Sequence, residues 1–392
     1  MQGMSMKFVQ LSQYAILVLF SVFILSEQAS ALPGFSRQTG MSCASCHYAS
    51  YPALNKAGRE FAASGYKIHS DDKKEYFTTS FTPSFVGKVG YLRRQGESYD
   101  SFDWPTKASL FLGGELADDV SYLLELGVFG AASDTGGQVD GLLSSKFQFH
   151  AGQWGDTRFS IIPFSTIDQG PSYAMELMNT GVRSTNNTIA AKTGYSASQQ
   201  LGIANSRATG LALTAVGESY FVTYANWQSG WWVDDHTQLI SQCAHYVRVG
   251  GFSRFSAWEL GYGAQTLFHR VSNHTCSGHV SEDTWGTILD LQLQSRERSM
   301  PLGIYASLGT IPANTYFNPA AKDEIALGIG VKGAISKQLS LYASMMDYDD
   351  GTGSGMQGTE TVGLEYRFGE QIKLEFYRDT DANTVIQLYM AM

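Results

Sequence analysis

The feature that most constrains this chain is a regular alternation of apolar and polar residues that begins near residue 81 and continues to its last residue. Successive side chains of a strand point to opposite faces, so this alternation predicts strands that separate two different environments. Turn-forming residues interrupt the pattern at intervals. The sixteen predicted strands are 81–93, 105–116, 120–131, 141–153, 157–165, 208–216, 220–228, 246–255, 257–270, 284–296, 301–309, 324–334, 338–347, 359–368, 371–379 and 384–392.

The links between these strands alternate between short and long. Tight links such as 117–119 and 154–156 are followed by longer polar or glycine-rich links such as 229–245 and 271–283. Outer-membrane barrels combine short periplasmic turns with longer outer loops in this way, and an even strand count puts both chain ends on the short-turn side. We therefore predict an all-β fold, a sixteen-stranded antiparallel transmembrane β-barrel of the porin type.

The last predicted strand shows the two rows of side chains that such a barrel needs, one facing lipid and one facing the lumen. A water-soluble barrel or sandwich is the alternative, but its surface would carry more charge than this chain, with 16% charged residues, supplies. The first row comprises Ile386, Leu388, Met390 and Met392, and the second comprises Gln387, Tyr389 and Ala391.

Composition agrees with this prediction. The chain has 41 glycines and 13% aromatic residues, which suit tight turns and the aromatic girdles of outer-membrane barrels. Its net charge of −9 argues against a nucleic-acid partner. No stretch after the N-terminal region approaches the ~20 consecutive apolar residues that a membrane helix needs. Any insertion into outer-membrane lipid therefore has to use strands.

The N-terminus has the pattern of a secretory signal peptide. Lys7 precedes an apolar run over 14–25, and Ala29-Ser30-Ala31 forms a small-residue cleavage site. We predict that residues 1–31 are removed on export. The mature chain would then fold in an oxidising compartment.

A second motif follows soon after the predicted cleavage site. Cys43-Ala44-Ser45-Cys46-His47 reads C-x-x-C-H, the pattern of covalent c-type haem attachment. The two thiols add to the two porphyrin vinyl groups, and the histidine binds the iron. Half of a zinc site or a redox dithiol are the alternatives, but zinc needs two more ligands and the chain has no second C-x-x-C. The motif predicts one covalent haem c with His47 as the proximal iron ligand.

A short helix is predicted after this motif, over 52–64, with Pro52 near its first turn and Gly65 just past its end. Apolar residues fall at helical spacing and could cover one face of a porphyrin. A domain this small rarely forms an independent core, so the haem or a larger neighbour has to complete it. The apolar residues are Leu54, Ala57, Phe61 and Ala62.

The runs FSRQTGMSCASCH, YPALNKAGREF and SGY resemble the cytochrome segment of fused monohaem cytochrome c–porin proteins, the outer-membrane Fe(II) oxidases of iron-oxidising bacteria. The resemblance covers about a tenth of the chain. It implies a signal peptide over 1–31, a small α-helical monohaem segment over 32–76 in the periplasm or barrel lumen, and an outer-membrane barrel over 77–392.

The resemblance also implies the reaction. Fe(II) outside the cell would give an electron to the haem, and a periplasmic cytochrome c would accept it. Composition and spacing do not identify iron; only the resemblance does. The alternatives are a passive porin with a structural haem segment, or an electron conduit for a donor or acceptor other than iron.

The second axial ligand of the haem has several candidates. His69 follows the predicted helix, whereas Met41 is too close to the attachment motif to reach the far face easily. Met175 and Met178 lie in the longest link, 166–207, whose position resembles that of the constriction loop of sixteen-stranded porins. They reach the haem only if that link folds inward, which we predict; a mobile surface loop and an open axial position are the alternatives.

Two long links between strands also carry the remaining cysteines, Cys243 and Cys276, which form a candidate disulfide in an oxidising compartment. Several histidines fall in or beside the same links. They form either a metal-contacting patch where Fe(II) arrives or part of two solvated loops. These histidines are His236, His245, His269, His274 and His279.

Overall fold

A computed structural model describes residues 33–49, 51–67, 83–96, 100–129, 141–181, 196–228, 244–270, 283–296, 300–313 and 320–392, with only the backbone for residues 33, 103–107, 129, 269–270 and 283–285. Sixteen strands form one closed barrel in which each strand pairs with its sequence neighbours. Strands β1 and β16 close it in antiparallel register, with Val86 opposite Ala391. The predicted fold class, a sixteen-stranded antiparallel barrel, is confirmed.

The strand boundaries agree with the predicted ones to within four residues. In chain order, the strands are β1 (Ser84–Arg93), β2 (Ser101–Ala117), β3 (Val120–Phe129), β4 (Gly141–Trp154), β5 (Thr157–Thr166), β6 (Ala208–Val216), β7 (Tyr220–Gln228), β8 (Ala244–Phe255), β9 (Trp258–Arg270), β10 (Asp283–Ser295), β11 (Leu302–Ile311), β12 (Glu324–Ala334), β13 (Leu339–Asp349), β14 (Gln357–Arg367), β15 (Ile372–Asp379) and β16 (Thr384–Ala391).

The largest boundary difference is at the start of β2, which begins at Ser101 rather than at residue 105. Pro105 lacks an N–H and favours the edge of a strand or an irregular position within it. In the barrel, the pairing of β2 with β1 shifts register between Lys88 and Gly90, beside this proline, and then resumes. The strand therefore continues through the proline because the irregularity accommodates it.

Side chains alternate between the two faces as predicted. On β16, Ile386 is 41% exposed and the adjacent Gln387 is fully buried. On β10, Leu289 and Leu291 point outward, whereas Asp290 between them is buried in the lumen. Apolar side chains thus cover the outer surface, whereas the interior combines polar side chains with buried apolar ones such as Phe221 and Ile288.

The barrel has two unlike ends. Connections at the first end are short, such as residues 118–119 between β2 and β3 and residues 256–257 between β8 and β9. Strand β1 begins and β16 ends here, and we call it the short-turn end. The opposite, long-loop end carries the longer connections, including residues 167–207 between β5 and β6. The predicted alternation of links is confirmed.

Within the described ranges the helices are few and short: α1 (Pro33–Thr39), α2 (Cys43–Cys46), α3 (Lys56–Ala63), a 3₁₀ turn (Pro171–Tyr173) and α4 (Ala197–Gln200). Helix α3 begins four residues after Pro52, a correction to the predicted start, because the Asn55 side chain caps it by accepting the Gly58 N–H at 3.0 Å. Gly65 ends it with a φ of 73°, as predicted. None of the described helices has the length and apolar character required to cross a membrane.

The described parts of the connection between β5 and β6, residues 167–181 and 196–207, lie inside the barrel; we call them the lumen loop. Glu176 pairs with Arg248 of β8 at 3.0 Å, and Arg248 pairs with Asp290 of β10 at 2.7 Å. On α4, the Ala197 N–H donates to Ser307 of β11 at 2.8 Å. The predicted inward fold of this connection is confirmed for these residues.

Candidate functional site

The cysteines of the C-x-x-C-H motif occupy the two ends of α2, a single helical turn at the short-turn end. Residues three apart on a helix lie on the same side, so this turn brings Cys43 and Cys46 together. The His47 N–H donates to the Cys43 carbonyl at 2.8 Å and extends the turn by one residue. Both cysteines are half-buried free thiols. The three predicted attachment residues therefore form one compact group.

The His47 ring is oriented by the backbone that follows it. Its Nδ1 lies 3.2 Å from the Ala53 carbonyl oxygen, which can only accept, so Nδ1 carries the proton. The lone pair is then on Nε2, the form in which an imidazole binds a metal. Residues 47 and 54 also form an isolated antiparallel bridge. These contacts fix the histidine in the ligand tautomer beside the two thiols.

Gly58 lets α3 approach the motif closely. A Cβ at this position would lie 2.1 Å from the Cys46 carbonyl oxygen, which is backbone. The Asn55 side chain ties the two helices together from the other side, since its Nδ2 donates to the Ser45 carbonyl at 2.9 Å. The helix that follows the motif is thus held against it.

Two cavities adjoin His47. The larger, about 890 Å³, is lined by Cys46 and His47, and the smaller, about 790 Å³, by Cys43 and His47. These volumes are in the range of sites that enclose a compact organic ligand, ~300–1,000 Å³. The larger cavity is also lined by the four apolar residues predicted to cover a porphyrin face, Leu54, Ala57, Phe61 and Ala62.

Aromatic side chains extend the apolar wall of the larger cavity. Phe35 of α1 stacks on Tyr66 with ring centroids 4.9 Å apart, and it meets the edge of Phe61 at 5.2 Å. Gly113 of β2 leaves room for Phe35, because a Cβ there would lie 2.8 Å from its ring. The cavity therefore has one wall from the N-terminal segment and one from the barrel.

The N-terminal segment, residues 33–67, is attached to the barrel through polar contacts at the short-turn end. The Cys43 N–H donates to Glu370 at 2.7 Å, and the Tyr48 hydroxyl lies 2.9 Å from Ser295. Deeper inside, Asn179 of the lumen loop bonds both backbone groups of Leu54, at 2.7 and 3.0 Å. The segment thus lies inside the barrel end and contacts the lumen loop.

The environment of the two thiols favours their neutral form. Burial, followed by the negative charge of Glu370, raises the pKa of Cys43. Burial also raises the pKa of Cys46. Because the thiolate is the form that attacks disulfides, this environment does not favour a reactive redox dithiol. It is compatible with thiols that are destined for thioether bonds.

The candidate distal ligands are distributed differently. Met175 and Met178 of the lumen loop are buried, but neither lines the two cavities at His47. Met41, which sequence reasoning set aside, does line the larger cavity. His69 lies outside the described residues. Among the described methionines, only Met41 therefore shares a cavity with His47.

Most of the outer-loop candidates also lie outside the described residues: Cys243, Cys276, His236, His274 and His279. The His245 side chain lies 2.7 Å from the Tyr224 hydroxyl, and Tyr224 is exposed on the outer face of the barrel. His269 pairs with Ala244 in the sheet. Within the described ranges, no group of three or more His, Cys, Asp or Glu side chains is arranged to hold a metal ion.

Sequence reasoning missed a buried arginine in the site. Arg59 of α3 lines the larger cavity and forms an ion pair with Glu259 of β9. The two residues are 200 positions apart, so local pattern cannot pair them. The one available signal is that Glu259 falls on the lumen-facing row of its strand.

Comparisons with known proteins bear on the barrel. No protein-family model and no curated protein matches the chain. Among solved structures, the trimeric form of OmpT, an outer-membrane protein of Vibrio cholerae, is 11% identical, covers 80% of this chain and 99% of its own, and has a TM-score of 0.51. OmpF of Salmonella typhi in complex with daunomycin is also 11% identical, covers 79% of this chain and 97% of its own, and has a TM-score of 0.50. The chain therefore has the fold of these outer-membrane barrels.

Proposed function

We propose that this protein is an outer-membrane electron conduit in which a single haem c in the N-terminal segment takes electrons from an extracellular donor. The observation that carries this proposal is the arrangement at His47. An imidazole in the ligand tautomer stands beside two thiols at the wall of a cavity of about 890 Å³. Each of these features is what a covalently attached haem requires.

The haem would be held by Cys43 and Cys46 through thioether bonds and by His47 through its Nε2. When bound, it supplies a one-electron couple. The protein supplies the remaining functions: the Ala53 carbonyl orients the ligand, and Leu54 and Phe61 exclude water from the cavity. The apolar walls would also complete the core of a segment that is too small to form one alone.

The location of the barrel follows from its surface and its two ends. An apolar outer face suits a barrel in the outer membrane, and short turns face the periplasm in such barrels. The predicted signal peptide agrees with export. The N-terminal segment lies at the short-turn end, so its haem would be within reach of a periplasmic electron acceptor such as a soluble cytochrome c.

A passive porin is the alternative that the fold alone also allows. The burial of the lumen loop favours the conduit, because lumen-facing side chains such as Tyr246 and Arg248, which would line a wide aqueous channel, are fully buried. A barrel narrowed in this way excludes large solutes, whereas a small donor only has to come close to the haem. Permeability to solutes therefore distinguishes the two functions experimentally.

Fe(II) is the proposed donor on the basis of the family resemblance. Chemical logic supports it, since ferric iron is poorly soluble near neutral pH and is best produced outside the cell. Transfer to the haem can be outer-sphere, so a dedicated iron site is not required. The reaction is then a one-electron oxidation of Fe(II) coupled to reduction of the haem.

The test is anaerobic addition of Fe(II) to the purified, oxidised protein, with the haem spectrum followed over time. We expect the haem to become reduced, and His47→Ala to abolish the normal spectrum. A haem that stays oxidised would overturn the iron-oxidase reading. Liposome swelling with small sugars would separately identify a passive porin.

A further inference from the structure

Arg59 is the most buried cation of the N-terminal segment and lies at the wall of the larger cavity. It is 4% exposed, and its guanidinium carbon lies 4.0 Å above the ring of Phe252 on β8. One guanidinium nitrogen, Nη2, donates to Glu259. The charge is therefore fixed in place by an aromatic face and one carboxylate, on the same cavity as Cys46 and His47.

The hydrogen bonds of Arg59 are incomplete. A guanidinium has five N–H donors in a planar fork, yet Nη1 is buried and has no acceptor among the described residues. Glu259 accepts from Nη2 with one oxygen, and its other oxygen accepts from Arg254 Nε at 3.3 Å, so neither oxygen bonds Nη1. Burial, only partly offset by Glu259, lowers the pKa of Arg59. A buried cationic donor without an acceptor is costly, so an anionic ligand group at this place would be stabilising.

The local charge balance agrees with an anionic ligand. Arg59 and Arg254 share the single carboxylate of Glu259, so this group carries one net positive charge. The nearby Lys56 pairs with two carboxylates, Glu60 and Glu218, at 3.1 and 3.3 Å, so that group carries one net negative charge, but both carboxylates are exposed to solvent. One carboxylate from a ligand would neutralise the group formed by Arg59, Arg254 and Glu259.

We infer that Arg59 binds a carboxylate of the ligand in the larger cavity and that, in the loaded protein, this carboxylate is a haem propionate. The inference rests on the proposed function. A porphyrin of this type carries its vinyl groups and its propionates on opposite edges. A ligand attached at Cys43 and Cys46 therefore presents its carboxylates away from the thiols, and Arg59 is the buried cation available on that cavity.

This role has an electrostatic consequence. A fixed positive charge next to a propionate cancels a negative charge near the iron and so favours the ferrous state. It also keeps the propionate ionised over the physiological pH range. Removing the cation should lower the reduction potential and make it depend on pH, because the propionate would then titrate with the redox change.

The test is a spectroelectrochemical titration of the haem-loaded full chain at several pH values, for the wild type and Arg59→Gln. Arg37→Gln is the control, because Arg37 has the same charge, lies in the same segment and is exposed outside both cavities. We expect Arg59→Gln to change the ferrous-to-ferric ratio at fixed potential about tenfold, equivalent to about 59 mV for one electron. A pH dependence absent from the wild type should also appear.

Equal potentials and equal pH profiles in Arg59→Gln and Arg37→Gln would overturn the inference. If Arg59→Gln fails to fold, Glu259→Gln provides the second test. This variant removes the carboxylate that competes for Arg59, so the reduction potential should rise. An unchanged reduction potential in Glu259→Gln would also overturn the inference. Absence of covalent haem from the wild type would instead refute the proposed function. Addition of inorganic phosphate to the haem-loaded protein tests whether Arg59 binds an anion from solution instead. A reduction potential that responds to phosphate would contradict the propionate assignment.

Discussion

Two pieces of chain enter this barrel, and they are built differently. The lumen loop fills the interior with side chains that find partners in the wall, as with Glu176, Arg248 and Asp290. The N-terminal segment is also bonded to the wall and to the lumen loop, through Arg59 and Leu54, but it lines two cavities of about 890 and 790 Å³. The described residues of the lumen loop are therefore packed and paired within the protein. The N-terminal segment instead leaves two cavities that a ligand could fill.

The largest effect should come from the motif itself. Replacing both Cys43 and Cys46 with alanine removes both attachment points, so covalent haem should disappear, as read by haem-peroxidase staining of a denaturing gel. Ser45→Ala, on the same helical turn, should stain normally. The barrel should still show heat-dependent gel migration, because its strands do not depend on the segment. Full staining of the double mutant would refute the motif assignment.

The next effect concerns the lumen loop. Arg248→Met leaves the buried carboxylates of Glu176 and Asp290 without their cation, which should cost about 3–5 kcal/mol. We expect the loop to leave the lumen and the conductance of the barrel in planar bilayers to rise. The matched control is Glu176→Gln/Arg248→Met/Asp290→Asn, which removes every charge and should restore most of the stability. If Arg248→Met conducts no better than the wild type, the loop is not what closes the barrel.

A smaller effect is expected at Gly58. Gly58→Ala places a methyl group on the Cys46 backbone carbonyl, which cannot move aside. We expect a loss of about 1–3 kcal/mol in the segment, although alanine by itself favours a helix by about 1 kcal/mol over glycine. Faster limited proteolysis of the segment and weaker haem staining would report this loss. Ala57→Gly is the control, because it costs helix propensity and one small contact in the larger cavity but leaves the Cys46 carbonyl untouched. A stabilised Gly58→Ala protein would contradict the close helix contact.

The smallest effect concerns thiol reactivity in haem-free protein. Burial and then Glu370 raise the pKa of Cys43, so little thiolate forms near pH 8 and alkylation by iodoacetamide should be slow. Glu370→Gln removes the negative charge, lowers the pKa toward its ordinary value and should speed alkylation several-fold, measured by peptide mass. The exposed Glu60→Gln should change nothing. Equal rates in all three proteins would show that Glu370 does not act on this thiol.

The barrel was predictable from sequence because strand alternation and turn residues are local signals. The outer and inner rows of β16 fall where the sequence places them. The inward course of the lumen loop was one of two outcomes that its length and position allowed, the other being a surface loop. The close grouping of Cys43, Cys46 and His47 was predictable for the same reason as the strands, since it depends on spacing within five residues.

Contacts between distant residues were not predictable. The pairing of Arg59 with Glu259 and the bonds between Leu54 and Asn179 arise only when the closed barrel brings separate strands and loops together. The start of α3 was misjudged for a local reason: Pro52 suits a first turn, but the cap formed by Asn55 lies closer to the apolar run and determines where the helix begins.

The most direct test is the mass of the tryptic peptide that spans residues 38–56 of protein purified from a host able to mature cytochromes c. Cleavage after Arg37 and Lys56 isolates Cys43, Cys46 and His47 on one fragment. The account predicts a peptide heavier by one haem, with no unmodified form. A peptide with two alkylatable thiols and no added mass would contradict it.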